Sequence, residues 1–380
     1  MSPEFAPPPR FTPPLRADLV GEEPYGAPQL AVAVRLNTNE NPYPPPPAVV
    51  ADMAEEIGRI AGGLNRYPDR EATVLRADLA GYLAHTEGVT VDVDRVWAAN
   101  GSNEILHQLL LAFGGPDRCA LGFSPTYSMY PQYCRDTFTR YVTEPRRADF
   151  TVDADAAVAA VRRHQPAVTL LASPNNPTGT ALPLEVTRAI AEAAAEHNGL
   201  VVVDEAYAEF RRPGTPSALT LLDELANLVV TRTMSKAFAA AGVRLGYLVA
   251  DSRIVNGLRI VRLPYHLSSV TQAVARVALA HADELLAQVA AIRAERDAMV
   301  AWLRSEGFTV ADSDANFVLT GIFQDSHEVW QRLVDRGVLV RETGPQGWLR
   351  VSIGTPEEMA AFREAFLAVA SPARREEFVR

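Results

Sequence analysis

The stretch Asn227-Leu-Val-Val-Thr-Arg-Thr-Met-Ser-Lys-Ala-Phe238 decides how this chain is read. An apolar, β-branched run delivers Ser235 and Lys236 into a small-residue segment that ends at Arg244. Such a run, bounded by a polar loop, is a buried strand of a parallel sheet. An amine held at its carboxyl end, in partly apolar surroundings, has its pKa lowered enough to form a Schiff base with an aldehyde. An isolated Ser-Lys pair is ordinarily a solvated surface feature, because lysine is among the most exposed residue types. What lies on either side of the pair decides between these readings.

Outward from it, short apolar runs recur at Val96-Trp-Ala-Ala99, Cys119-Ala-Leu-Gly-Phe123, Val168-Thr-Leu-Leu-Ala172, Leu200-Val-Val-Val203 and Leu245-Gly-Tyr-Leu-Val249. They alternate with helix-period segments, the rhythm of an α/β domain with a largely parallel sheet. After Asn100-Gly101, Ser102 is expected to N-cap a helix whose Ile105, Leu106, Leu109, Leu110 and Phe113 share a face. A second helix is expected from Pro183, in its first turn, to His197-Asn198-Gly199, with Gly199 as the C-terminal cap. From about Val270 to Val289 the pattern predicts one long alanine-rich helix, followed by an α+β lobe through Asn316-Phe-Val-Leu-Thr320 and Trp348-Leu-Arg-Val-Ser-Ile353. Residues 1–47 are rich in proline, from Pro7-Pro8-Pro9 to Pro44-Pro45-Pro46-Pro47, and read as an extended arm. The expected division is therefore an arm at 1–47, a large domain at 48–270 and a small C-terminal domain at 271–380.

Composition narrows the function classes. The 380 residues carry 36 basic and 46 acidic side chains, a net charge of −10, which leaves no basic footprint for nucleic acid and little attraction to anionic membranes. An anionic ligand must then be held by local arginines. Hydrophobic residues make up 48% and charged residues 22%, as in ordinary globular proteins. Cys119 and Cys134 form neither a disulfide framework nor a metal cluster, so no metal is expected. The N-terminus has no apolar signal-peptide core and no run reaches membrane-spanning length, which makes the cytoplasm the expected location.

Three further blocks join Lys236. Ala172-Ser-Pro-Asn-Asn-Pro-Thr-Gly179 places a tight turn at the carboxyl end of a strand, where ligands of open α/β sheets bind. Val201-Val-Val-Asp-Glu-Ala-Tyr207 puts Asp204 at the end of another apolar strand, where an ionised carboxylate needs a partner. Arg244 follows Lys236 by eight positions. In this order the blocks resemble the fold-type I aminotransferases that use pyridoxal 5′-phosphate. The resemblance implies a large domain built on a mostly parallel, seven-stranded-type sheet between helices, a smaller α+β domain and an N-terminal arm.

It also implies roles. Lys236 would hold the cofactor, then move protons in a ping-pong cycle, and Asp204 would keep the pyridine nitrogen protonated. Asn176 and Tyr207 would hydrogen-bond the phenolic oxygen, and Tyr127, in Ser124-Pro-Thr-Tyr-Ser-Met-Tyr130, would stack on the ring. The phosphate would sit on the amides of Ser102 and Asn103, with Ser235 and Arg244.

Over nearly the whole chain the resemblance sharpens to the histidinol-phosphate aminotransferases, carried by Pro24-Tyr-Gly-Ala-Pro28, Arg35-Leu-Asn-Thr-Asn-Glu-Asn-Pro42, Asn65-Arg-Tyr-Pro-Asp69, Pro264-Tyr-His-Leu-Ser268 and Leu349-Arg-Val-Ser-Ile-Gly-Thr355. This implies histidinol phosphate and glutamate or 2-oxoglutarate as substrates, in histidine biosynthesis. Arg341 and Arg350 would grip the substrate's anionic end, with Tyr25 and Asn39 closing over it. Tyr67 would reach the cofactor phosphate of the partner subunit in a homodimer with shared active sites. Rival readings are an aromatic (phenylalanine) aminotransferase, a threonine-phosphate decarboxylase, and a non-catalytic regulatory protein that binds pyridoxal phosphate.

Overall fold

The computed structural model describes residues 13–371, so Pro7-Pro8-Pro9 of the proline-rich arm and the last nine residues lie outside the described part. In chain order the strands are β1 (Val34–Leu36), β2 (Val96–Ala99), β3 (Cys119–Ser124), β4 (Arg140–Pro145), β5 (Val168–Ala172), β6 (Leu200–Asp204), β7 (Leu228–Thr233), β8 (Gly246–Ala250), β9 (Thr309–Val310), β10 (Phe317–Gly321), β11 (Val338–Val340) and β12 (Leu349–Ser352). The helices are α1 (Pro47–Ala61), α2 (Thr73–Glu87), α3 (Gly101–Phe113), α4 (Tyr130–Asp136), α5 (Ala154–His164), α6 (Leu184–Ala195), α7 (Ser252–Val261), α8 (Ser269–Ala280), α9 (Ala282–Ser305), α10 (Ser326–Val334) and α11 (Pro356–Leu367).

Seven strands form the central sheet, in the order β2-β8-β7-β6-β5-β3-β4. The steps β7-β6-β5-β3-β4 are parallel, whereas β8 runs antiparallel to both of its neighbours. Strands β5, β7 and β8 are buried along their whole length, which is why β5, β8 and the first half of β7 read as mostly apolar runs. Because β8 alone is reversed, its start lies at the same edge as the carboxyl ends of the others, and that edge carries the site. A three-stranded antiparallel sheet, β12-β10-β9, forms the core of the C-terminal region. Within the proline-rich arm, β1 pairs in parallel with β11, with Arg35 opposite Leu339. The extended arm is thereby tied to the C-terminal region.

Several local expectations are corrected. Ser102 is not a cap: α3 starts at Gly101, its N-cap is Asn100, and the Asn100 N–H donates to Glu104 Oε2 at 2.6 Å. Pro183 is the N-cap of α6 rather than a first-turn residue, and the left-handed residue after that helix is Asn198 (φ 59°), not Gly199. The long alanine-rich helix is two helices broken at His281, whose φ of −104° and ψ of 24° leave the helical region. α8 packs on α1 and α2, while α9 turns toward β9 and β10, a change of partner that helical periodicity does not register. Edge strand β4 escaped the sequence reading because Arg140-Tyr-Val-Thr-Glu-Pro145 is half-exposed and polar, as edges are.

Candidate active site

Five loops at the carboxyl edge of the sheet, the arm and the C-terminal region enclose a cavity of about 480 Å³. Its lining includes Tyr25, Asn39, Ser102, Asn103, Tyr127, Asn176, Asp204, Tyr207, Ser235, Lys236, Arg244, Arg341 and Arg350. All the site residues expected from sequence thus converge here except Tyr67. That side chain is 79% exposed and stacks on Tyr265 with ring centroids 4.4 Å apart, outside this cavity.

Lys236 leaves the end of β7 with its amine donating to the Thr38 carbonyl at 2.9 Å. Burial, reinforced by the positive charge of Arg350, pushes the amine down to about 8. Among the described residues no carboxylate pairs with it, which makes it available as a base and nucleophile near neutral pH. Asp204 ends β6 and is buried. Its Oδ1 accepts from Thr231 Oγ1 at 2.9 Å and its Oδ2 from Tyr130 OH at 3.2 Å. Burial pushes its carboxyl up to about 6, because two neutral donors repay only part of the desolvation. A cationic group beside Asp204 would restore the carboxylate.

Tyr207 OH, also buried, accepts from Asn39 Nδ2 at 2.9 Å and from Asn176 Nδ2 at 3.4 Å. Asn176 Oδ1 accepts from Arg350 Nη1 at 2.6 Å, and Arg350 Nη2 donates to the Asn37 carbonyl at 2.8 Å. Among the described residues the buried Arg350 Nε finds no hydrogen-bond partner, and burial lowers this guanidinium's pKa. Arg341 pairs across the bridge to Arg350, and both of its terminal nitrogens reach the Gly26 carbonyl of the arm at 3.3 Å. Tyr25 is held to Ser128 Oγ at 3.2 Å, which draws the arm across the cavity mouth. Tyr127 OH donates to Asn103 Oδ1 at 3.3 Å, and its ring meets Tyr130 edge-on at 5.5 Å.

The start of α3 is shaped for an anion. Gly101 has φ 82°, and a Cβ there would lie 2.8 Å from Arg244 Nη2, so the guanidinium lies directly over the first turn. A Cβ on Gly246 would lie 2.2 Å from the Ser102 nitrogen, so only glycine lets β8 pass this close. Arg244 itself is left-handed (φ 59°), and its Nη1 donates to Ser235 Oγ at 3.3 Å. Free helix-start amides, a hydroxyl and a guanidinium are a complete donor set for a phosphate group.

Four contributors were not singled out from sequence: Thr38, Asn37, Tyr130 and Thr231. Tyr130 stands three residues beyond Tyr127 in the same quoted segment, and Thr231 lies directly opposite Asp204 in the β6–β7 register. The signal for Thr231 was a polar residue inside an otherwise apolar strand. Thr38 and Asn37 act through backbone carbonyls, which no side-chain pattern reveals. Behind the site, Arg232 of β7 pairs with Glu205 at 2.8 Å and with Glu87 of α2 at 2.6 Å. Burial raises the Glu205 carboxyl, but Arg232 and Arg211 outweigh it and hold the group below its ordinary value.

Residues 31–366 match the family described as aminotransferase class I and II. The chain is 65% identical to the histidinol-phosphate aminotransferase of Thermobifida fusca over 354 residues, covering 93% of this chain and 95% of that protein. The chain belongs to the histidinol-phosphate aminotransferase family. A Bifidobacterium adolescentis member is 55% identical over 94% of the chain and 95% of its own length. Among solved structures, the histidinol-phosphate aminotransferase of Sinorhizobium meliloti in complex with pyridoxal-5′-phosphate superposes with a TM-score of 0.80. It is 26% identical and covers 89% of this chain and 91% of that one. The N-succinyldiaminopimelate aminotransferase of Mycobacterium tuberculosis, 25% identical, superposes at 0.78 over 89% and 94%. The fold is thus the α/β aminotransferase fold, and the cofactor is pyridoxal 5′-phosphate.

The residues present fit that cofactor. Among the described residues the amine of Lys236 is unpaired by any carboxylate, Asp204 is buried without a cationic partner, and the Gly101 cradle under Arg244 would be filled by any side chain. Among the described residues no group of metal-ligating side chains competes for the site, and no helix is long and apolar enough to cross a membrane.

Proposed function

We propose that this site transfers the amino group of L-histidinol phosphate to 2-oxoglutarate, giving imidazole-acetol phosphate and L-glutamate in histidine biosynthesis. The single observation that carries the reading is one cavity lined by a buried, depressed lysine amine, a buried carboxylate and the arginines Arg244, Arg341 and Arg350. When bound, pyridoxal phosphate supplies an electron sink for the pair released as the substrate's Cα–H bond breaks.

The chain's own groups do the rest. Lys236 Nζ would hold the cofactor and, as a free amine, would take the proton from the substrate carbon. Asp204, held by Thr231 and Tyr130, would be the counter-ion of the pyridine nitrogen. Tyr207 and Asn176 would hold the phenolic oxygen, Tyr127 would cover the ring, and the start of α3 with Ser235 and Arg244 would take the phosphate. Arg350 and Arg341 bind the substrate's phosphate in one half-reaction and a glutamate carboxylate in the other, which a forked guanidinium suits. Tyr25 and Asn39 close over the substrate, excluding water.

The proposal extends to assembly. Tyr67 and Tyr265 project from the surface as a stacked apolar pair, which supports a homodimer in which Tyr67 completes the partner's phosphate site. Cytoplasmic location, an arm at 1–47, a large domain at 48–270 and a small domain at 271–380 belong to the same reading. The test is a substrate panel on the purified holoenzyme. Histidinol phosphate should give the highest kcat/KM, and a clear preference for phenylalanine would replace the reading with an aromatic aminotransferase.

A further inference from the structure

Once the amine and the anionic end of the substrate are assigned, its ring remains without a partner. Two carboxylates line the cavity among the described residues, Asp204 and Glu40, and Asp204 is committed at the sheet. Glu40 is exposed toward the mouth, and its Oε2 accepts from Thr38 Oγ1 at 2.8 Å. Thr38 is also the residue whose carbonyl holds the Lys236 amine, so the carboxylate stands beside the reacting centre.

The backbone that carries Glu40 is clamped on both sides. Asn39 N–H donates to Ser352 Oγ at 2.9 Å, and Ser352 Oγ in turn donates to Asn39 Oδ1 at 2.8 Å. Asn316 Nδ2 donates to the Asn39 carbonyl at 3.0 Å. On the other side, Asn41 Nδ2 donates to the Ala237 carbonyl at 3.2 Å, one residue past Lys236. With its backbone fixed in this way and its carboxylate held by the Thr38 hydroxyl, Glu40 has part of its freedom removed before a ligand meets it.

We propose that Glu40 accepts a hydrogen bond from the imidazole N–H of the substrate and so separates an imidazole-bearing amine from a phenyl-bearing one. The assignment rests on the reading in the preceding subsection. An imidazole always offers at least one N–H, whereas a phenyl ring offers none. A site built to bond an N–H rejects the analogue that lacks it, because its own polar group is left without a partner. Glu40 keeps contact with water, so the discrimination is about tenfold rather than the far larger factors of sealed sites.

The experiment compares kcat/KM for histidinol phosphate and phenylalanine in the wild-type holoenzyme, Glu40→Ala and Glu40→Gln. The preference for histidinol phosphate should fall about tenfold in Glu40→Ala, mainly through KM, and recover in part in Glu40→Gln, whose amide oxygen still accepts. An unchanged preference in Glu40→Ala, or an equal loss on both substrates, overturns the proposal. A wild-type enzyme that prefers phenylalanine instead refutes the histidinol-phosphate reading itself, so the two failures are distinguishable.

Discussion

Replacing Lys236 with methionine should stabilise the cofactor-free protein while abolishing its chemistry. Burial moves the amine from 10.5 to about 8. At about 1.4 kcal/mol per pH unit, that drop costs the folded state about 3 kcal/mol while the amine is protonated in both states. Methionine keeps the chain length and removes the charge, but leaves the Thr38 carbonyl without its donor, a loss of about 1 kcal/mol. The net expectation is a gain of about 2 kcal/mol near neutral pH. The sign follows from proton counting. Below about 8 both states bind the proton and the full cost is present, and between about 8 and 10.5 only the unfolded chain binds it, so wild-type stability rises with pH. The gap between variant and wild type should therefore close across that window. Urea unfolding of both cofactor-free proteins, at equal protomer concentration and at about pH 7 and about pH 10, measures it. A variant less stable than wild type near pH 7, or a gap that does not shrink with pH, would refute the reasoning.

Other perturbations test other parts of the framework. Glu205→Ala leaves Arg232 buried beside a missing charge and should cost about 3–5 kcal/mol, read as a lowered urea midpoint in the cofactor-free protein; a change near zero would mean that Glu87 alone satisfies Arg232. Gly101→Ala forces a side chain at φ 82° against Arg244 and should weaken pyridoxal phosphate binding at least tenfold in fluorescence titration, with unchanged affinity counting against the phosphate cradle. Lys236→Ala protomers mixed with Tyr67→Ala protomers should regain about a quarter of wild-type activity, since half of a random mixture is heterodimer with one complete site. Activity no greater than the sum of the two parents would place Tyr67 outside the partner's site.

The fold was legible in the sequence because burial on both faces leaves β5, β8 and the first half of β7 mostly apolar, and such runs stand out. What was illegible follows from physics that acts between segments. Edge strand β4 has a polar, half-exposed pattern, and the break at His281 reflects a change of packing partner between α8 and α9. The cap of α3 passed to Asn100, two residues before the expected Ser102, where the Asn100 N–H and side chain both bond Glu104. Asp204, Tyr207, Asn176 and Lys236 were visible as polar residues at the ends of apolar strands. The carbonyls of Asn37 and Thr38 were not, since any residue type could supply them. Tyr67 was visible only through the family resemblance, and the structure places it exposed, outside the cavity.

The most direct test of the account follows amino transfer from L-histidinol phosphate to 2-oxoglutarate by wild type and by Lys236→Ala, with glutamate formation as the readout. Wild type should form one glutamate for each histidinol phosphate consumed, and Lys236→Ala should form none above background. Retained turnover in Lys236→Ala, or a wild-type enzyme that leaves histidinol phosphate untouched, would contradict it.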